Sequence, residues 1–140
     1  SLALSELIAS HTATYEMAHV VVLGDLNDYP SNESVQKLVE CEAGSPCLNN
    51  MYERFEGSNR GSHAYKGKWG VLDHILVSQS LLGGNMKLRI DKSSGRIFKK
   101  NWMLYKSNYD GELYPSRAYG RDKFYGGYSD HLPVILGVLN

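Results

Sequence analysis

A chain of 140 residues with 42% hydrophobic and 21% charged side chains lies in the range of one globular domain and outside the disordered class. Fifteen Lys and Arg balance fifteen Asp and Glu, so no net field draws the chain to nucleic acid or to an anionic membrane, and any phosphate affinity has to come from local clustering. The longest apolar runs, Val20 to Leu23 and Leu132 to Leu136, are far shorter than the roughly 20 residues that span a bilayer. The first residues show no basic n-region or long apolar h-region, which leaves localisation open.

Leu2, Leu4, Leu7 and Ile8 recur at helical spacing and predict an amphipathic helix over the first ten or so residues, ending near His11-Thr12. The β-branched run Ala18 to Leu23, stopped by Gly24, predicts a strand buried on both faces. Helix followed by buried strand is the grammar of an α/β or α+β fold. Ser31, after Pro30, is the expected N-cap of a second helix running through Val35, Leu38 and Val39. Cys41 and Cys47, with five residues between them, either close a disulfide, which an extracytoplasmic protein would favour, or remain two thiols in a loop. No second Cys or His pair at finger spacing accompanies them, so zinc is not expected.

A glycine-rich polar stretch at 56–62 leads into Ala64 to Trp69, and Val71 to Ser78 reads as a further strand. Residues 83–128 are irregular, a length of loop that is usually functional or partly structured. Leu132 to Val138 is expected as one closing strand, with Pro133 at its start.

Three segments carry chemistry. Gly24-Asp25-Leu26-Asn27-Asp28 follows a strand, and period-2 alternation would send Asp25 and Asn27 to one side; a polar turn would look the same. In Leu72-Asp73-His74-Ile75, a carboxylate inside an apolar strand calls for a partner, and His74, facing the other way, reads as a satisfied structural histidine. Ser129-Asp130-His131-Leu132-Pro133-Val134 offers a second Asp and a His beside a buried strand.

Taken in this order, the three segments resemble the endonuclease/exonuclease/phosphatase superfamily. The resemblance implies a DNase I-like fold, a four-layer α/β sandwich of which residues 1–140 would be the C-terminal portion. It further implies a divalent-metal hydrolase of phosphate esters, a phosphodiesterase or phosphatase using Mg²⁺ or Mn²⁺ and in-line attack of water. At the matching positions Asp25 would orient or deprotonate the water, and Asn27 would contact the phosphate and hold Asp25. Asp130 would bind the metal, His131 would hydrogen-bond a phosphate oxygen, and Asp73 would orient His131.

The family's N-terminal Asn and Glu, the latter its main metal ligand, and its Asn-His strand have no counterpart here. A lone half would expose a sheet face meant for burial and is expected to be inactive without its N-terminal partner half. Lys66, Lys68, Arg117 and Arg121, interleaved with Tyr65, Trp69, Tyr119, Phe124 and Tyr125, are candidate substrate-binding residues, either clamping a phosphorylated head group or stacking a base. A solvated loop with packed tyrosines would show the same pattern. Nucleic acid is a possible substrate that the charge balance does not indicate. The alternative from another class is a non-catalytic module that binds phosphate or a lipid head group on the same fold.

Overall fold

The computed structural model describes residues 2–15, 18–40, 47–83 and 87–140. Helix α1 (Leu2–Thr14) runs past the expected end. Its apolar stripe is not buried as a whole: Leu2 and Leu7 stay exposed, and only Ile8, with Leu4 partly, reaches the core. Strand β1 (Val21–Asp25) is followed by α2 (Glu33–Val39), whose N-cap is Asn32 instead of Ser31. Ser31 is engaged elsewhere, its N–H and hydroxyl both donating to the Glu56 carboxylate at 2.9 and 2.6 Å. Asp28 accepts from the Asn32 amide and the Ser34 hydroxyl, which fastens the loop after β1 to the first turn of α2. Cys47 is disulfide-bonded, while Cys41 lies outside the described residues.

Next come β2 (Leu48–Asn50), a 3-10 turn at Glu53–Phe55, β3 (His63–Tyr65), β4 (Lys68–Gly70) and β5 (Asp73–Ser78). Lys66 and Gly67, at φ 48° and 76°, make the two-residue turn of the β3–β4 hairpin, where the twist of the flanking strands favours two left-handed residues. The 83–128 region is not a plain loop. It contains β6 (Arg89–Ile90), β7 (Arg96–Ile97), β8 (Leu104–Lys106), β9 (Leu113–Pro115), β10 (Tyr119–Gly120) and β11 (Lys123–Phe124). The expected single closing strand is two short ones, β12 (Val134–Ile135) and β13 (Val138–Leu139). They pair with β7 and β6 respectively, and the Gly137 N–H between them donates to Ser94 Oγ at 2.9 Å, so the ladder is interrupted there.

The sheets are antiparallel. The largest has the order β1-β5-β2, and β8–β9, β10–β11 and β3–β4 are separate hairpins. Alternation along β5 divides the core in two. Ile75 and Val77 pack with Met51, Tyr52, Phe55, Val71, Leu81 and Ile90 on one face, while Leu76 packs with Ile8, Leu38 and Leu48 on the other. The Tyr52 hydroxyl donates to the Ile135 carbonyl at 2.7 Å, tying β12 to the first cluster. Among the described residues no buried side-chain polar atom lacks a hydrogen-bond partner.

Strand β1 departs from the expected two-sided burial. It is the edge of its sheet, and Val21 and Leu23, which pair across from Val77 and Ile75, are 46% and 71% exposed. The layer that covers β5 on this face stops short of β1. Val20, Val22 and Leu26 are partly buried against the second cluster, so only one face of the strand is covered.

Candidate functional site

Antiparallel register places Asp25, the last residue of β1, directly opposite Asp73, the first of β5. Both continue the row formed by Val21, Leu23, Ile75 and Val77, so two carboxylates end an otherwise apolar face. His131 reaches them from the other end of the chain. An isolated antiparallel bridge joins it to His63, and the Leu132 N–H donates to the Ser62 carbonyl at 2.7 Å. Its Nδ1 lies 2.6 Å from Asp73 Oδ2. A carboxylate only accepts, so Nδ1 carries the proton and Nε2 faces away from Asp73. Ligand atoms of Asp25, Asp73 and His131 all lie within 4.8 Å of one another.

The other sequence candidates fall around this group in different ways. Asn27 does not share a strand face with Asp25: the strand ends at Asp25, and Asn27 sits in a left-handed turn at φ 56°. Its N–H donates to Asp25 Oδ1 at 2.9 Å, an Asx-turn that fixes the Asp25 carboxylate from one side. Asp130 is exposed, 3.6 Å from Nη2 of Arg117. The His131 N–H donates to Ser129 Oγ at 3.1 Å, which shapes the turn that delivers the imidazole. Of the four basic candidates, Lys66 and Arg117 line a cavity of about 510 Å³, whereas Lys68 in β4 and Arg121 in the β10–β11 turn do not.

His74 is fully buried and saturated, as a structural histidine should be. The Tyr52 N–H donates to Asn50 Oδ1 at 3.0 Å, which turns the Asn50 amide nitrogen toward His74 Nδ1, also at 3.0 Å. Nδ1 must then accept, so the proton is on Nε2 and is donated to the Asp28 carbonyl at 2.9 Å. Burial holds the His74 pKa below its ordinary value, partly opposed by this bond to Asp28. The residue thereby ties the Asp25–Asp28 loop to β5.

Two residues of the site carry no motif. Ser62 is fully buried, and its hydroxyl accepts from the backbone N–H of Asp73 at 3.2 Å while its carbonyl accepts from Leu132, so it spaces the Asp–His pair from both sides. The His63 ring lies 4.7 Å from the His131 ring. Its pKa is lowered by burial first and by His131 second, with Asp130 and Asp25 pulling the other way. A polar residue between a glycine-rich stretch and a short strand gives no sequence signal of such a contact, because the bridge to His131 exists only in the folded chain.

Exposed carboxylates beside an imidazole make a hard, mostly oxygen donor set, and Mg²⁺ is commonly held through one or two carboxylates and several waters. Among the described residues, Asp25, Asp73 and His131 are the groups that come within 4.8 Å of one another, and Asp130, the carboxylate expected to bind the metal, is not one of them but faces Arg117. Among the described residues no helix is long and apolar enough to cross a membrane. No curated protein and no solved structure matches the chain. The family model described as Endonuclease/Exonuclease/phosphatase family matches residues 2–140, the span that holds all three acidic segments and the Asp73–His131 pair. The chain therefore belongs to the endonuclease/exonuclease/phosphatase family of metal-dependent phosphoesterases and nucleases, with its DNase I-like fold.

Proposed function

We propose that the protein hydrolyses phosphodiesters or phosphomonoesters with Mg²⁺ or Mn²⁺, water attacking phosphorus in line. The observation that supports this reading best is the Asp73–His131 hydrogen bond set beside the Asp25 carboxylate. Asp73 holds the imidazole in one orientation, and in its doubly protonated form the ring donates Nδ1–H to Asp73 and Nε2–H to a phosphate oxygen. Asp25, with one oxygen held by the Asn27 N–H, uses the other to orient water and accept its proton. The Asn27 side chain, in an exposed turn beside it, contacts the phosphate. Asp130 is assigned to the cation, which when bound offsets charge on the phosphate oxygens. Arg117, 3.6 Å from Asp130, would sit beside the phosphate of a bound substrate and add a second positive charge there.

On this reading residues 1–140 are the later portion of the catalytic domain, and a further segment supplies the remaining metal carboxylate. Exposed Val21 and Leu23, on the same face as Asp25, offer the apolar surface on which that segment would pack. The test is turnover of bis(p-nitrophenyl) phosphate by the intact protein with Mg²⁺ or Mn²⁺ and with EDTA. Asp25→Asn and His131→Ala are each expected to lower kcat by about 10²–10⁴-fold with little change in Tm. Metal-independent turnover, or variants that lose stability and keep activity, would overturn the assignment.

A further inference from the structure

We propose that the cavity beside the acidic site is a nucleobase subsite, so that the substrate is a single nucleotide ester or a strand end; this rests on the hydrolase reading above. Three hairpins bound the cavity: β3–β4 contributes Tyr65 and Lys66, β8–β9 contributes Tyr105 and Tyr114, and the β10–β11 segment contributes Tyr125. About 510 Å³ lies within the range of small-molecule sites and is too small for a duplex.

Its walls are aromatic and preorganised. Tyr105 and Tyr114 are cross-strand partners with stacked rings, 5.9 Å apart and inclined by 29°. The Tyr114 hydroxyl is fixed at its tip, accepting from the Gly67 N–H at 2.7 Å and donating to Asp110 Oδ2 at 2.5 Å. Tyr65 and Tyr125 remain 65% and 58% exposed at the rim of the concavity. Each carries a lysine ammonium over one face, Lys66 over Tyr65 at 5.3 Å and Lys123 over Tyr125 at 5.4 Å. Large aromatic rings gathered around a cavity and left mostly exposed mark a binding surface, and a free tyrosine face takes a planar base at little entropic cost.

The charge of the lining selects the ligand. Lys66 and Arg117 line the cavity and, among the described residues, no Asp or Glu does, which disfavours a cationic head group and suits an uncharged ring whose phosphate lies at the cavity's edge. The position selects the part of the ligand that enters. Ala64 follows His63, which is bridged to His131, and Arg117 is paired with Asp130, so the cavity adjoins the groups assigned to the phosphate. A phosphate held at His131 leaves its organic arm beside the tyrosines, where the shared feature of nucleotides, a flat ring on the far side of a sugar, finds stacking faces.

Calorimetry on the intact protein with Mg²⁺ tests this with thymidine 5′-monophosphate, ribose 5-phosphate and inorganic phosphate. The nucleotide is expected to bind at least about tenfold more tightly than ribose 5-phosphate, the difference that one stacked base contributes. In Tyr65→Ala/Tyr125→Ala that ratio falls toward one with Tm unchanged, and Tyr65→Phe/Tyr125→Phe restores it because the stacking faces return. Equal affinity for the two sugar phosphates, or a ratio that survives loss of both rings, overturns the base subsite. Turnover of bis(p-nitrophenyl) phosphate on the same preparation separates the two readings: turnover without base preference overturns the subsite alone, and base preference without metal-dependent turnover overturns the hydrolase reading alone.

Discussion

Replacing His74 by Phe keeps a ring of similar size and removes both nitrogens. The Asp28 carbonyl and the Asn50 amide N–H then lose their partners in a site that water does not reach, since His74 has no exposed surface. Each stranded group costs about 1–3 kcal/mol, so the variant should lose roughly 2–6 kcal/mol, a large share of the 5–15 kcal/mol that holds a typical domain together. The substitution also changes the pH dependence. Burial lowers the pKa of His74 from 6.5 in the folded state, so below pH 6.5 the unfolded chain binds more protons than the folded one. Wild-type stability therefore falls as pH drops below 6.5, and it is at its full value above that pH. His63 is shifted in the same direction, so in His74→Phe the slope below pH 6.5 should become shallower without vanishing. Urea denaturation followed by circular dichroism measures both effects. A variant within about 0.5 kcal/mol of wild type, or one with an unchanged pH slope, would show that the tie between β5 and the Asp28 loop does not support the fold.

Ser62→Ala removes the hydroxyl that accepts from the Asp73 N–H and should lower stability by about 1–3 kcal/mol; kcat on a chromogenic phosphodiester should fall more than KM rises, and unchanged kcat would mean that Ser62 does not space the Asp–His pair. Leu23→Lys should leave the melting temperature of the isolated 140-residue chain almost unchanged, because the side chain is exposed there. In the intact protein the same substitution should be destabilising by several degrees in a thermal scan, and equal effects in both would argue against a covering segment on that face.

Much of the chemistry was legible from the sequence because it resides in contiguous segments. Asp25, Asp73 and His131 each stand beside an apolar run that local patterning marks. Burial says that Asp73 needs a partner, but only the order of the three segments and the family it resembles pointed to His131, which lies 2.6 Å away. What escaped was set by tertiary context. A β-branched run reads the same whether a strand is central or at an edge, so the exposure of Val21 and Leu23 had no local sign. Ser31 has the composition of a cap, but Glu56 from a later loop takes it, and Asn32 fills the position. Period-2 reasoning failed at Asn27 because the left-handed turn intervenes before the alternation is complete. His63 and Ser62 act through partners near residue 131 and were invisible to any reading confined to neighbours.

The register of β1 against β5 has an evolutionary consequence. It sets the spacing of Asp25 and Asp73 by backbone pairing alone, whereas the cavity walls come from hairpins between residues 63 and 125 that share no strand with that pair. Lengthening a hairpin adds closure entropy only slowly, about 0.6 kcal/mol for each doubling of a flexible loop. Insertions and deletions in these hairpins can therefore reshape what the cavity accepts while the two acids stay in step, leaving selection free to change the ligand without rebuilding the chemistry.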